Sequence, residues 1–345
     1  MNSVPRLAVA ALVVGLLGVF CWNMAHEGTS YGPNPVPSSP FPVDVVGHGN
    51  RDGWPYYVTL HVPKEKLTYG MSENVFTSAE NCRAIRGSIM VVAEDARRPG
   101  RPGRPGRTML RRVRLGPGAK WRLMPGMVSA PVTSVSEVTS SPNGLLTAVI
   151  GSSRLGRSAV LVDWRTRACH VFPAFPRVSF RSVIELACDD QGSVYVWRIP
   201  FGSSDDPYPV TRYQEGRPAQ SIGSFDKVVT NGAGAFGIRS TWSRPSGEIE
   251  VRATPLDRSR PDRVFHAIFS PATAKFPESL LGEVQPWSFS DVVSSDDGEL
   301  WAALPSGGNY GICALIIWQT GHEQPIHIVT DPTHIIYPVS LRRAG

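Results

Sequence analysis

Three pairs of adjacent aspartates are the residues best suited by type to acid–base chemistry: Asp189-Asp190, Asp205-Asp206 and Asp296-Asp297. General acid–base catalysis needs two carboxyl groups that face one substrate from rigid elements. Asp is also favoured in turns, where its side chain accepts hydrogen bonds from the local backbone. We interpret all three pairs as turn residues, and no EF-hand-like spacing predicts a calcium site.

Other catalytic and cofactor patterns are weak in this sequence. The eight histidines are dispersed, and no two have the H-x-x-x-H spacing of a zinc-binding helix. Neither a G-x-S-x-G elbow nor a P-loop occurs. The string Gly232–Gly237 matches a dinucleotide fingerprint by letters, but it lacks a βαβ context and is interpreted as a hairpin. We predict no metal and no cofactor, and a Ser-His-Asp triad built from distant segments stays open.

The cysteines bear on the compartment of the protein. Four of the five, Cys82, Cys169, Cys188 and Cys313, follow the N-terminal apolar run, and none forms a C-x-x-C pair. Outside the cytoplasm disulfides persist, and Cys169–Cys188 is the best candidate pair because the two residues are close in sequence. The alternative for Cys188, which lies in an apolar string, is a buried free thiol.

An arginine-rich segment is the most unusual feature of the chain. Three Pro-Gly-Arg triplets within residues 97–107 are too few for a collagen helix, and Pro and Gly at this density predict an exposed loop. A basic strand at the edge of a sheet is predicted over Thr108–Leu115. The segment holds eight candidate anion-binding residues: Arg97, Arg98, Arg101, Arg104, Arg107, Arg111, Arg112 and Arg114. They predict contact with a protein or an anionic surface, and the alternative is a solvated insertion without a function.

The charge distribution argues against nucleic-acid binding. The formal net charge is +6, and the arginine-rich segment accounts for all of this excess. The remaining chain is close to neutral, whereas a nucleic-acid-binding fold spreads basic charge over a face.

Residues 1–25 indicate export. Arg6 precedes an apolar run over residues 7–25, and the next Lys or Arg is Arg51. The positive-inside rule places such an N-terminus in the cytoplasm and the C-terminal body outside it. The run is shorter than an ideal span and longer than a usual signal core. Because Asn23-Met24-Ala25 is a poor cleavage site, we favour a single-pass signal-anchor in the cell membrane over a cleaved signal peptide and a secreted or periplasmic product.

The elements that would position any site are short strands. A Pro-rich linker over residues 26–42 leads into a body over residues 43–341, in which no long stretch has a helical period. Four segments repeat one pattern, an apolar strand, an Asp/Asn–Gly turn and a second apolar strand, with turn glycines at 144, 192, 232 and 298. Periods of about 40–50 residues are typical of four-stranded propeller blades.

Two strings then resemble a known architecture. The string Ser141–Leu146, followed by Val160–Thr166, is similar to a blade of the WD40 or TolB-like β-propeller families, and Ser295–Trp301 is similar to the same turn. The resemblance implies an all-β fold, a β-propeller of six or seven blades behind an N-terminal apolar helix. Tandem β-sandwiches, which also use short strands and frequent turns, remain the alternative.

The resemblance implies no activity, because propellers carry many unrelated functions. We expect a monomeric, non-catalytic recognition or scaffold module held outside the cytoplasm. The alternatives are a hydrolase with its site in the central cavity and a surface structure without a small ligand. Acidic, His or Ser side chains clustered on one propeller face, with a perturbed pKa, would favour the hydrolase.

Overall fold

A computed structural model describes most of the chain after residue 41. The described ranges are 42–51, 54–62, 66–70, 82–86, 89–95, 107–115, 121–153, 156–172, 182–200, 207–243, 248–268, 288–307, 312–330 and 337–343. Every regular element within them is a β-strand.

The strands form six four-stranded antiparallel sheets within the described ranges. We number the sheets in chain order and write each from its first strand outward. The first sheet holds β24 (Tyr337–Arg343), β1 (Val43–Arg51), β2 (Trp54–Val62) and β3 (Lys66–Gly70). The second holds β4 (Cys82–Arg86), β5 (Ile89–Asp95), β6 (Thr108–Leu115) and β7 (Trp121–Ala130). The third holds β8 (Thr133–Ser140), β9 (Leu146–Ser153), β10 (Gly156–Asp163) and β11 (Cys169–Val171).

The remaining three sheets follow the same plan. The fourth holds β12 (Ser182–Cys188), β13 (Val194–Pro200), β14 (Tyr208–Tyr213) and β15 (Gln220–Phe225). The fifth holds β16 (Lys227–Asn231), β17 (Gly234–Ser243), β18 (Glu248–Pro255) and β19 (Arg263–Ile268). The sixth holds β20 (Ser288–Ser294), β21 (Leu300–Gly307), β22 (Ile312–Gln319) and β23 (His327–Thr330).

The first strands of the six sheets contact one another in a closed cycle. β4 contacts β8, β8 contacts β12, and the series continues through β16, β20 and β24 back to β4. The other three strands of each sheet extend outward in sequence order. This arrangement is a six-bladed β-propeller. We call β4, β8, β12, β16, β20 and β24 the inner strands.

The ring is closed by pairing the two ends of the body. β24 forms an antiparallel pair with β1, so the C-terminal strand completes the sheet that the N-terminal strands begin. Within this pair, Arg342 lies opposite Asp44, and its Nε and Nη2 atoms each lie 3.2 Å from Asp44 Oδ2. The Asp44 carboxylate is buried and the Arg342 side chain is partly exposed, so the ion pair joins the two ends of the body at the edge of the solvent.

The alternation of strand directions gives the ring two distinct faces. We call the face with the hairpins between first and second strands the turn face. We call the opposite face, where one sheet passes to the next, the connector face. Glycine-containing turns occupy the described part of the turn face. Most connector-face segments, residues 96–106 and 269–287 among them, lie outside the described residues.

Apolar side chains fill the spaces between neighbouring sheets. Five buried clusters in the described part of the chain each join two adjacent sheets. One of them joins the third and fourth sheets and contains Ile150, Leu161, Leu186 and Val196. Runs of Val, Ile and Leu suit these strands because both faces of each sheet are covered.

The structure confirms the four predicted hairpins, since each predicted turn joins the first and second strands of one sheet. The alternative of tandem sandwiches is wrong, because the sheets form one ring and not two facing pairs. The wide gap between glycines 232 and 298 holds no additional blade, because β16 and β20 contact each other directly. The apolar run 7–25 and the linker up to residue 41 lie outside the described residues, and within the described ranges no helix is long and apolar enough to span a membrane.

Candidate functional site

In four sheets, a turn of the repeat joins the inner strand to the second strand at the turn face. In each turn one glycine has a positive φ: Gly144 at 68°, Gly192 at 79°, Gly234 at 128° and Gly298 at 74°. A left-handed φ favours glycine because other residues have a Cβ clash there. The third repeat differs from expectation: the positive φ lies at Gly234, and Gly232 instead approaches the next turn, with its amide 2.6 Å from Asp296 O.

A charged residue stands seven positions before each of these glycines, within the inner strand of its sheet. The four residues are Glu137, Glu185, Lys227 and Asp291. They belong to β8, β12, β16 and β20, which are consecutive around the ring. Sequence analysis missed this set. Aligning the predicted turn glycines would have found Glu137, Glu185 and Asp291 but not Lys227, because the predicted third glycine was Gly232 and not Gly234. Like positions in successive blades lie at a similar height, so the repeat concentrates charge at the inner strands.

The pKa of the Glu137 carboxyl is strongly perturbed. Its pKa is raised from 4.5 to about 7, first by burial and second by repulsion from Glu185 on the neighbouring inner strand. The Val138 amide, Lys227 and Arg157 act in the opposite direction. A carboxyl with this pKa is close to half-protonated at neutral pH, so Glu137 can donate or accept a proton there.

The carboxyl pair lies next to solvent on its connector-face side. Val183, two residues before Glu185 on β12, is 40% exposed although it is apolar. Ser134 and Ser136, which precede Glu137 on β8, are exposed as well. Ser134 has a φ of 49°, within an irregularity of the β8–β9 register. A ligand could therefore reach the Glu137–Glu185 pair from the connector face.

The chemistry of this group is that of an acidic binding site with one adjustable proton. Within the described ranges, no group of three or more His, Cys, Asp and Glu side chains could hold a metal ion. A cationic or hydrogen-bond-donating group of a ligand would suit Glu137 and Glu185, and Lys227 could bind an acceptor beside it.

The aspartate pairs at 189–190 and 296–297 are turn residues, as predicted. Asp189 Oδ1 accepts hydrogen bonds from the Gln191 and Ser193 amides at 3.0 and 2.8 Å. Asp297 Oδ1 accepts one from the Glu299 amide at 3.0 Å. These local contacts fix the turns and leave the carboxylates at the turn face. Asp205-Asp206 lies outside the described residues.

The arginine-rich segment divides into two parts. Arg97, Arg98, Arg101 and Arg104 lie outside the described residues. Arg107 and Arg114 are exposed on either end of β6, and Arg111 is partly buried. Arg112 is structural, since its guanidinium lies 4.5 Å from the Trp164 ring centroid and its Nη1 donates to Gly144 O at 3.3 Å. Arg112 thus links the second sheet to the third and is not displayed for a ligand.

The structure contains no disulfide between Cys169 and Cys188, the candidate pair. Closeness in sequence was misleading. Cys169 lies on β11, the outermost strand of the third sheet, and Cys188 lies on β12, the innermost strand of the fourth. Strands of one sheet are about 4.8 Å apart, so the two radial positions differ by more than a disulfide can bridge. The buried thiol that was the alternative for Cys188 is what the structure contains.

Comparison with known proteins gives structural likeness only. No family model matches the chain, and no curated protein matches it. A protein from Lactobacillus plantarum is 12% identical, with 84% of this chain and 82% of that chain covered and a TM-score of 0.44. TolB from Acinetobacter baumannii is 13% identical over 83% of this chain and 63% of that chain, with a TM-score of 0.40.

A third similar structure is the periplasmic gluconolactonase PpgL of Pseudomonas aeruginosa. It is 15% identical over 84% of this chain and 83% of that chain, with a TM-score of 0.41. Likenesses this distant carry no argument about activity. The propeller assignment stands on strand pairing and on the cycle of inner strands, and nothing shows membership of the WD40 family.

Proposed function

We propose that the protein is a non-catalytic recognition module that binds a cationic group of its partner at the inner strands, beside Glu137 and Glu185. The observation that carries this proposal is the placement of Glu137 and Glu185 on adjoining inner strands beside exposed residues of β8 and β12, and the raised pKa of Glu137 supports it. A buried carboxyl that faces another carboxyl lowers the stability of the fold. Features that oppose stability concentrate where a protein binds or reacts, because the ligand compensates for them.

The charges around the pair set the preferred partner. With Glu137 ionised, its carboxylate is repelled by Glu185 and attracted by Lys227 and Arg157. A protonated amine or a guanidinium would relieve the repulsion between Glu137 and Glu185 and would lower the pKa of Glu137. Binding of a cation should therefore release protons near neutral pH and strengthen as the pH rises.

The test uses spermidine as the cationic probe and succinate as the anionic one, with the full chain in a calorimeter. We expect spermidine to bind more tightly at about pH 8 than at about pH 6, because Glu137 with a pKa of about 7 ionises between them. Glu137→Gln should weaken binding at the higher pH about tenfold, the effect of one charge-assisted hydrogen bond. It should also remove the pH dependence.

The matched control is Glu323→Gln, which removes an exposed carboxyl at the turn face and leaves the net charge equal to that of the Glu137 variant. This control should bind spermidine as the unsubstituted chain does. Equal affinity of the unsubstituted chain and a Glu137→Gln/Glu185→Gln variant, or a preference for succinate, would contradict the proposal.

A hydrolase is the second candidate, and the Glu137 pKa of about 7 is what favours it. A carboxyl that is half-protonated at neutral pH suits a general acid, while a neighbouring carboxylate can act as base or nucleophile. The test is a screen of p-nitrophenyl esters and glycosides. Activity that peaks near neutral pH and falls at least a hundredfold in Glu137→Gln would establish the enzyme in place of the recognition module.

We also propose that residues 7–25 hold the body at the outer side of the cell membrane. Three features support this orientation: the apolar run, Arg6 before it, and the lack of any further Lys or Arg until Arg51. Alkaline phosphatase fused after Gly345 should be active only if the C-terminus lies outside the cytoplasm. Retention of the fusion in carbonate-washed membranes indicates an anchor, release indicates a cleaved signal, and an inactive fusion contradicts export.

A further inference from the structure

The outer half of the second sheet carries basic charge without acidic residues in its own sequence. From residue 96 to residue 136 there is no Asp or Glu, and this stretch includes β6 and β7. Arg114 and Arg122 lie opposite each other in the β6–β7 pair, and both are exposed. Like charges facing each other across a strand pair oppose pairing, so the fold does not benefit from having both.

Two large apolar side chains lie on the same pair of strands. Leu123 is 60% exposed and Met127 is 49% exposed, and both belong to β7, the outermost strand of the second sheet. They lie opposite Val113 and Arg111, which share one face of β6, so Leu123 and Met127 lie on the same face of the sheet, whereas Arg114 and Arg122, one position along, lie on the other. The exposed residues, with Pro125 between the two apolar ones, therefore flank both sides of this outer strand pair. We call Arg114, Arg122, Leu123, Pro125 and Met127 the basic edge.

The basic edge lies on the side of the ring where the chain enters the body. Val43 begins β1 at the turn face of the first sheet, which neighbours the second sheet through β24 and β4. Arg114, near the end of β6, and Arg122, near the start of β7, lie at the turn-face end of their strands. The chain therefore enters the body on the side of the ring where the basic edge lies.

We propose that the basic edge docks on a membrane surface rich in anionic phospholipid, a proposal that rests on the membrane attachment proposed above. Arginines within a Debye length of such a surface are attracted to it, and exposed Leu and Met side chains can enter the interfacial region. A linker over residues 26–42, extended at about 3.1 Å per residue, would reach about 50 Å, so attachment permits the contact. The exposed apolar side chains favour lipid over nucleic acid, whose backbone offers charge alone.

The experiment compares the full chain in nanodiscs of phosphatidylcholine with and without phosphatidylglycerol, using hydrogen exchange. We expect slower exchange over residues 121–127 only when phosphatidylglycerol is present, and loss of this protection at high salt. The outer strand of the fifth sheet, which carries the 64%-exposed Ile268, serves as an internal reference and should not change.

Paired variants test the arginines. Arg114→Glu/Arg122→Glu should return the exchange of residues 121–127 to the rate in phosphatidylcholine alone. Arg217→Glu/Arg258→Glu makes the same change in net charge at exposed turn-face positions of the fourth and fifth sheets, and it should leave the protection intact.

The outcomes separate the two proposals. A chain that no nanodisc retains would overturn membrane attachment itself. Retention without phosphatidylglycerol-dependent protection would overturn the docking of the basic edge alone. Equal protection by a DNA oligonucleotide in solution would also overturn it, because the edge would then be a general polyanion site.

Discussion

Two boundaries between neighbouring sheets differ in the side chains that line them, which are aromatic at one and acidic at the other. The aromatic boundary, between the fifth and sixth sheets, contains Phe236, Phe265, Trp301 and Trp318. The Trp301 ring centroid lies 5.4 Å from that of Phe236 and 5.6 Å from that of Phe265. Both indole N–H groups donate hydrogen bonds, Trp301 to Gly298 O at 3.2 Å and Trp318 to His266 O at 2.8 Å. These ring contacts and hydrogen bonds favour the folded state.

The acidic boundary, between the inner strands of the third and fourth sheets, contains Glu137 and Glu185. Here the Val138 amide donates a hydrogen bond to the Glu137 carboxyl. Burial and Glu185 both oppose ionisation of this carboxyl. The same repeat thus builds one boundary for stability and another that lowers stability, and the second is the one suited to binding.

The largest expected effect is at the aromatic boundary. Trp301→Ala should lower the free energy of unfolding by about 3–5 kcal/mol, because a buried indole is replaced by a cavity. Trp301→Phe, which keeps most of the contact and loses the bond to Gly298 O, should cost less. Urea denaturation followed by circular dichroism measures both. A loss below about 1 kcal/mol in Trp301→Ala would show that this boundary is not the stabilising one.

At the acidic boundary a substitution should stabilise the protein, and the gain should depend on pH. Between 4.5 and about 7 the folded protein keeps a proton on Glu137 that the unfolded chain releases, so stability falls as the pH rises through this window. Glu137→Gln should therefore raise the free energy of unfolding by up to about 3 kcal/mol above pH 7 and by little near pH 4. Urea denaturation across this range, with Glu323→Gln as the control, checks the sign. A destabilised variant at high pH contradicts the acidic boundary as described.

A smaller loss is expected where the two turns of the aromatic boundary meet. Asn231 is buried, its Oδ1 accepts from the Ala233 amide at 2.9 Å, and its Nδ2 donates to Ser294 Oγ at 3.2 Å. Asn231→Ala should cost about 1–2 kcal/mol. Asn231→Asp keeps the acceptor and loses the donor, so it separates the two bonds. Thermal unfolding is the measurement, and no change in either variant would show that the turns do not stabilise each other.

The smallest expected effect concerns the coupling within the acidic boundary. Glu185→Gln removes the repulsion that raises the pKa of Glu137, so this pKa should fall while it stays above 4.5, because burial is the larger cause. Carbon-13 NMR of the Glu carboxyls measures the titration. An unchanged pKa would mean that the two carboxyls do not interact, and the proposed cation site would lose its second member.

Part of this arrangement was predictable from the residues. The Asp/Asn–Gly turns predicted the hairpins because such turns need a positive φ, and the spacing of the repeat predicted the propeller. Glu137 was not recognised, since a single Glu in a strand has no local signature and its raised pKa depends first on burial and then on Glu185, 48 residues away in the sequence. The disulfide expectation failed for the related reason that closeness in sequence says nothing about radial position.

The order of the residues determined the alternation, the turns and the concentration of arginine after residue 96, because each depends on neighbours along the chain. The tertiary structure decided that there are six sheets among the described residues, that β24 completes the sheet of β1, and that Arg112 contacts Trp164 while Arg114 faces solvent. Closing the ring brings Glu137 beside Glu185, and burial there changes their charge balance. Such effects depend on distance and solvent access, which exist only once the sheets have packed around one axis.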